Sequence, residues 1–183
     1  MASEVCCDGR MSDQKQGLLA FDWALVFYWM MATTSGWLFG WLLWPPIALV
    51  TAGVLAGALQ CVVLLHRIPR AWRWILATGA GWLAGMAMVL IAAGTGVFAG
   101  LLIGAFTGTA QWLLLRREVY WAGWWIPVSA LAWATSLSLA PNPESVLLPR
   151  VVLSGVIPSV MTGVALELQL RNRKPAEPPK SED

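Results

Sequence analysis

Two glutamines set in apolar runs are the side chains here best placed for directed polar chemistry. Gln60 and Gln111 each follow a glycine pair, as Gly53-x3-Gly57-x2-Gln60 and Gly104-x3-Gly108-x2-Gln111, which puts amide and glycines on one helix face. In hydrocarbon such an amide must find partners on a neighbouring helix, so each reads as an interhelical clamp; the rival reading is a polar ring facing a ligand or water. Asp22 and Glu167 are the carboxylates in the apolar segments. Each is expected one turn from the same membrane surface, within reach of water or headgroups, with Glu167 paired to Arg171 four residues on. No carboxylate pair lies at mid-segment, so a proton relay has no basis. His66, the single histidine, stands beside Arg67 and is the one candidate ligand for a pigment. Without carboxylates or thiols nearby it is no metal site. No phosphate-cradling glycine loop, nucleophile elbow or metal-binding helix motif occurs. The expectation is a non-enzymatic protein with no cofactor named.

The elements that carry these residues follow from composition. Of 183 residues, 58% are hydrophobic and 12% charged, with 13 Trp and 17 Gly. Soluble domains carry about twice that charge. A soluble enzyme, a nucleic-acid binder and a disordered chain are excluded. A polytopic membrane protein remains, whose partners are the bilayer and other membrane subunits or copies of itself.

Polar tails are expected at 1–17 and 171–183, the second rich in Pro and charge. Met11 offers a second plausible start. Cys6 and Cys7 read as reduced thiols on the first tail, and Cys61 as a packing residue. Between the tails six segments are long enough to cross about 30 Å of hydrocarbon: 18–43, 47–65, 72–93, 97–115, 121–139 and 148–170. They break at Trp44-Pro45-Pro46, His66 to Arg70, Gly94-Thr95-Gly96, Arg116-Arg117-Glu118 and Pro141-Asn142-Pro143. Pro149 suits a first helical turn, and Pro158 is expected to kink the sixth segment. Of the 12 Lys and Arg residues, all but Arg150 fall on the side of the two tails. That bias places both termini in the cytoplasm.

The chain also repeats itself. Odd segments share Trp29…Thr33…Gly36-Trp37 with Gly40, Trp74…Thr78…Gly81-Trp82 with Gly85, and Trp125…Ser129…Ala132-Trp133 with Ser136. Even segments share the glycine–glutamine pattern. The sixth matches as Ser159-x3-Gly163, with Leu166 where the glutamine falls. The fold expected is all-α: a six-helix transmembrane bundle of three tandem αα-hairpins (units 18–67, 72–117 and 121–171), pseudo-threefold about the membrane normal. Gly36, Gly40, Gly53, Gly57, Gly81, Gly85, Gly104, Gly108 and Gly163 are the expected packing positions, where backbones approach closely. Trp41, Trp44, Trp72, Trp74, Trp121, Trp124 and Trp125 lie near segment ends and suit an interfacial belt. Trp37, Trp82 and Trp133 lie deeper, with Thr33, Thr78 and Ser129 one turn earlier as acceptors for their indoles.

Gly108-Thr109-Ala110-Gln111-Trp112-Leu113-Leu114-Leu115-Arg116-Arg117, followed by Ala122-Gly123-Trp124-Trp125, resembles a motif of small multi-spanning membrane proteins of cyanobacteria and Chloroflexota-type bacteria. Those proteins repeat a Gln-Trp-Leu-x-Leu-Arg block followed by Ala-Gly-Trp-Trp. The second and third segments match less closely, with Cys61 for Trp and His66 for Arg. The resemblance implies a bacterial inner membrane and transfers no catalytic residue. The expected role is a scaffold, assembly or accessory subunit of a membrane complex. The rivals are a small-solute channel or transporter along the pseudo-symmetry axis and a pigment- or quinone-binding subunit.

Overall fold

A computed structural model describes residues 21–42, 45–139 and 148–174. The described residues are all-helical. In chain order the helices are α1 (Trp23–Leu42), α2 (Pro45–Leu64), α3 (Arg73–Ile91), α4 (Gly96–Glu118), α5 (Trp125–Leu139, entered through a 3-10 turn at Ala122–Trp124) and α6 (Leu148–Leu170). Each packs on the next, and α6 returns to pack on α1, which closes the bundle. Among the described residues, Arg73–Ile91, Gly96–Glu118 and Pro149–Leu170 are long and apolar enough to cross a membrane. Large apolar side chains on the outside, such as Phe27, Leu76, Leu83, Leu131 and Leu153, are exposed. The bundle presents to its surroundings what a soluble protein would bury.

Local chemistry moves several boundaries from their expected places. Asp22 lies before α1, not a turn inside it. Its Oδ1 accepts the Leu25 N–H at 2.9 Å, a side-chain cap that satisfies an otherwise orphaned donor. Pro45 and Pro46 fall in the first turn of α2 instead of the break, because a missing N–H costs nothing there. α4 continues through Arg116 and Arg117, whose charge complements its C-terminal dipole. α3 ends where Ala93 turns left-handed (φ 48°) and the Gly94 N–H reaches Val89 O at 3.0 Å. This is a six-to-one C-cap, with alanine where glycine is usual.

Pro158 stands inside a continuous α6. Having no N–H, it leaves the Ser154 carbonyl without its helical donor. Ser136 of α5 supplies one, its Oγ–H donating to Ser154 O at 2.6 Å, and both serines are fully buried. Hydroxyls on neighbouring helices are the usual means of satisfying backbone freed by an intramembrane proline. Ser136→Ala should therefore cost about 1–3 kcal/mol, the penalty of an orphaned buried carbonyl. In a Pro158→Ala background, where the helix supplies its own N–H, the same change should cost clearly less. Unfolding titrations of the four proteins would measure it.

Candidate functional site

The centre of the bundle is a belt of indoles, amides and hydroxyls. On α3, Trp74 and Thr78 are one turn apart and share a face; on α1 Trp29 and Thr33 do so, and on α5 Trp125 and Ser129. Gln60 of α2 reaches both ways. Its Nε2–H donates to Thr33 Oγ1 at 2.9 Å, and its Oε1 accepts the Trp74 Nε1–H at 3.0 Å. Gln111 of α4 repeats this between α3 and α5, donating to Thr78 Oγ1 at 2.9 Å and accepting from Trp125 Nε1 at 2.8 Å. Each amide ties its own helix to both neighbours.

α6 closes the belt with a hydroxyl. Thr162 Oγ1 accepts the Trp29 Nε1–H at 3.0 Å, and the Ser159 and Thr34 hydroxyls meet at 3.1 Å. Leu166, placed by sequence at the glutamine position, instead lies fully buried, as do Leu64 and Leu115. The pattern that fits α6 is Gly155-x3-Ser159-x2-Thr162, one turn earlier than Ser159-x3-Gly163.

Trp74 and Trp125 are thus core residues, each 1% exposed, and not interfacial ones. With Trp29 they form a triangle of edge-on contacts, ring centroids 5.8, 5.9 and 6.2 Å apart. Trp72, Trp121 and Trp124 are exposed, as an interfacial belt requires. The side chain of Trp41 and all of Trp44, Cys6 and Cys7 lie outside the described residues. A second aromatic layer joins Trp133 to Trp37 (5.5 Å) and to Trp82 (4.6 Å). The Trp37 indole donates to Ser154 Oγ at 3.0 Å, not to Thr33, whose hydroxyl the Gln60 amide uses.

The glycines set the spacing that lets these rings meet. A Cβ on Gly81 would stand 2.6 Å from Thr107 Cα, and one on Gly85 the same distance from Ile103 Cα. Gly36 and Gly40 face the Ala56 and Ala52 backbone, and Gly104 faces Ser129 O. Gly53 seats the Trp82 ring, Gly57 and Gly108 the Thr78 and Ser129 side chains, and Gly163 the Trp29 ring. Two more positions escape the sequence patterns: Gly100 against the Trp133 carbonyl and Gly155 against the Trp37 ring.

Between the two tryptophan layers lies a cavity of about 20 Å³, lined among others by Thr33, Gln60, Thr78, Thr107, Gln111 and Thr162. That is room for about one water molecule. The Thr107 hydroxyl is buried there with no hydrogen-bond partner among the described residues. Thr107→Val keeps the shape and removes the group, so stability should hold or rise by up to about 1 kcal/mol. A loss larger than that in thermal unfolding would mean that the hydroxyl is satisfied from the cavity.

Among the described residues charge gathers at one end of the bundle, and Arg150, in the first turn of α6, stands alone at the other. Asp22 Oδ2 meets Arg67 Nη2 at 2.6 Å. The Leu25 N–H and the Arg67 guanidinium hold the Asp22 carboxyl below its ordinary value of 3.8. Their stabilisation is complete above that value and is lost as pH falls through the lower folded one. Glu167 is not open to water as expected but 4% exposed. Its Oε1 accepts the Asp22 backbone N–H and Arg171 Nε, each at 3.0 Å, so the expected pairing with Arg171 forms within a tie between α6 and the start of α1. Beyond α6 the chain crosses the same end: Asn172 O and the Lys174 N–H bond Tyr120 N and Glu118 O, and Arg173 donates to the Arg67 carbonyl. His66 is exposed beside Arg67 and Arg173 in a shallow recess. Cys61 is buried among apolar residues. Among the described residues no three His, Cys, Asp or Glu side chains cluster as a metal site would require.

Comparison with known protein families, curated proteins and solved structures returns no match.

Proposed function

We propose that this chain is a non-enzymatic integral protein of a bacterial inner membrane, with both termini cytoplasmic, serving as a scaffold, assembly or accessory subunit of a membrane complex. In this reading it is three tandem αα-hairpins arranged about a pseudo-threefold axis. One observation carries the proposal. The centre, where a conduit or a cofactor would lie, is filled by interlocked indoles, two amides and hydroxyls bonded to one another, leaving the Thr107 hydroxyl beside a cavity of about 20 Å³. A core so arranged holds helices together and leaves the outer faces for contact. The threefold reading is supported by the evenly spaced Gly53/Gly57/Gln60, Gly104/Gly108/Gln111 and Gly155/Ser159/Thr162 sets, each meeting an indole of the next odd helix in cyclic order. The cytoplasmic assignment rests on the arginines gathered at one end. The channel reading has only the cavity of about 20 Å³ in its favour.

Gentle solubilisation of the tagged chain from its own membrane is the test. Stoichiometric co-purification of another membrane protein, or a defined homo-oligomer, is the expected result. An isolated monomer that supports solute flux in vesicles would replace this reading with the channel one.

A further inference from the structure

The charged end of the bundle pairs some arginines and leaves others over. Arg67, Arg171 and Arg173 have Asp22, Glu167 and Glu118 within ion-pair distance. Arg70 and Arg117 have no such partner among the described residues, and Arg73 makes only a cation–π contact with Trp72, at 5.7 Å from the ring. These three arginines, from the α2–α3 turn, the first turn of α3 and the end of α4, line one recess of about 240 Å³. The single acid on its wall, Glu118, lies 4.0 Å from Arg173, which offsets its charge. The positive end of the α3 dipole also lies here, with no acidic residue in that helix's first turn. Arg70 itself sits at φ 57°, a left-handed conformation that glycine adopts without strain and arginine does not. The floor is apolar, formed by Leu64, Trp74 and Leu114.

We infer that this recess binds a phosphate-bearing anion. Three arginines lining one concave site that holds several water volumes supply the positive charge and the forked N–H donors that suit a tetrahedral oxyanion. An anionic phospholipid headgroup and free phosphate share this chemistry. The recess lies where α2 and α4 leave their apolar stretches, the depth at which a headgroup would reach it. The inference does not depend on what the chain assembles with.

The test uses the full chain in neutral detergent, titrated separately with phosphatidylglycerol, phosphatidylcholine and inorganic phosphate. Binding is read by native mass spectrometry and by the shift in melting temperature. Phosphatidylglycerol should bind in preference to phosphatidylcholine and raise the melting temperature, which assigns the lipid source. Saturable binding of inorganic phosphate with no preference between the lipids assigns the soluble one. Arg70→Gly with Arg117→Gln should weaken binding of the preferred anion about thirtyfold, from about fivefold per arginine near an anionic group. Because glycine relieves the left-handed residue, this variant should remain folded. Arg116→Gln removes one positive charge outside the recess and should leave binding within about twofold, against about fivefold for either recess arginine alone. Failure of all three probes to discriminate, wild-type affinity in the double variant, or an equal loss in Arg116→Gln would overturn the inference.

Discussion

Gly81→Ala should destabilise the bundle by several kcal/mol, while Gly79→Ala on the same helix should leave it unchanged or slightly more stable. The two glycines differ only in what lies opposite. A Cβ on Gly81 would meet Thr107 Cα at 2.6 Å and Phe106 O at 2.8 Å, and both are backbone atoms of α4 that cannot turn aside. A Cβ on Gly79 would meet nothing nearer than a Val54 methyl at 4.0 Å. Overpacking of a tight core costs about 1–3 kcal/mol and more when backbone must move. At the open site alanine gains up to about 1 kcal/mol of helix preference. In lipid no hydrophobic gain repays separated helices, because the lipid is as apolar as the side chains. Thermal or denaturant unfolding of the two variants in one detergent reads the difference. Equal stability would mean that the α3–α4 contact is not as close as described.

Gln111→Leu carries the second large effect. It strands the Trp125 indole N–H and the Thr78 hydroxyl in an apolar interior. Interhelical hydrogen bonds in membranes average only about 0.6 kcal/mol, but a buried donor left unpaired costs about 1–3 kcal/mol. The loss should therefore exceed the average and fall mainly on Trp125. Adding Trp125→Phe removes the stranded donor, so the double variant should be less destabilised than the sum of its singles, with a coupling of about 1 kcal/mol or more. Additive losses would mean that the amide and the indole do not meet. Partner assembly should survive the single change; loss of cellular role with fold and partners intact would favour a wet path over a clamp.

The helices were legible because composition is a blunt and strong signal: long apolar runs broken at Arg, Pro and Gly mark them to within a few residues. Gln60 and Gln111 were legible as clamps because an amide at helical spacing from two glycines has few other uses in hydrocarbon. Their partners were not. Trp74 and Trp125 stand near helix starts by chain position, yet lie inward because the next helix brings an amide to them. Thr162 was missed because Ser159-x3-Gly163 imitates two small residues one turn apart and draws the register a turn too far. The even spacing of Gly53, Gly104 and Gly155 was the signal that places it. Glu167 looked solvent-accessible because the N–H it accepts belongs to Asp22, at the other end of the chain. Pro158 announced a freed carbonyl; that Ser136 would satisfy it required the fold.

The closing of α6 onto α1 is the feature on which the belt, the filled centre and the threefold reading all depend. Thr34 and Ser159, whose hydroxyls lie 3.1 Å apart, report on it directly. With Cys6, Cys7 and Cys61 replaced, the Thr34→Cys, Ser159→Cys protein should form a disulfide within one chain when oxidised by iodine in its membrane. The bond should appear as a shift in mobility of the monomer that reductant reverses. Absence of that bond in a protein that still unfolds cooperatively, or cross-linking only between chains, would contradict the closed bundle.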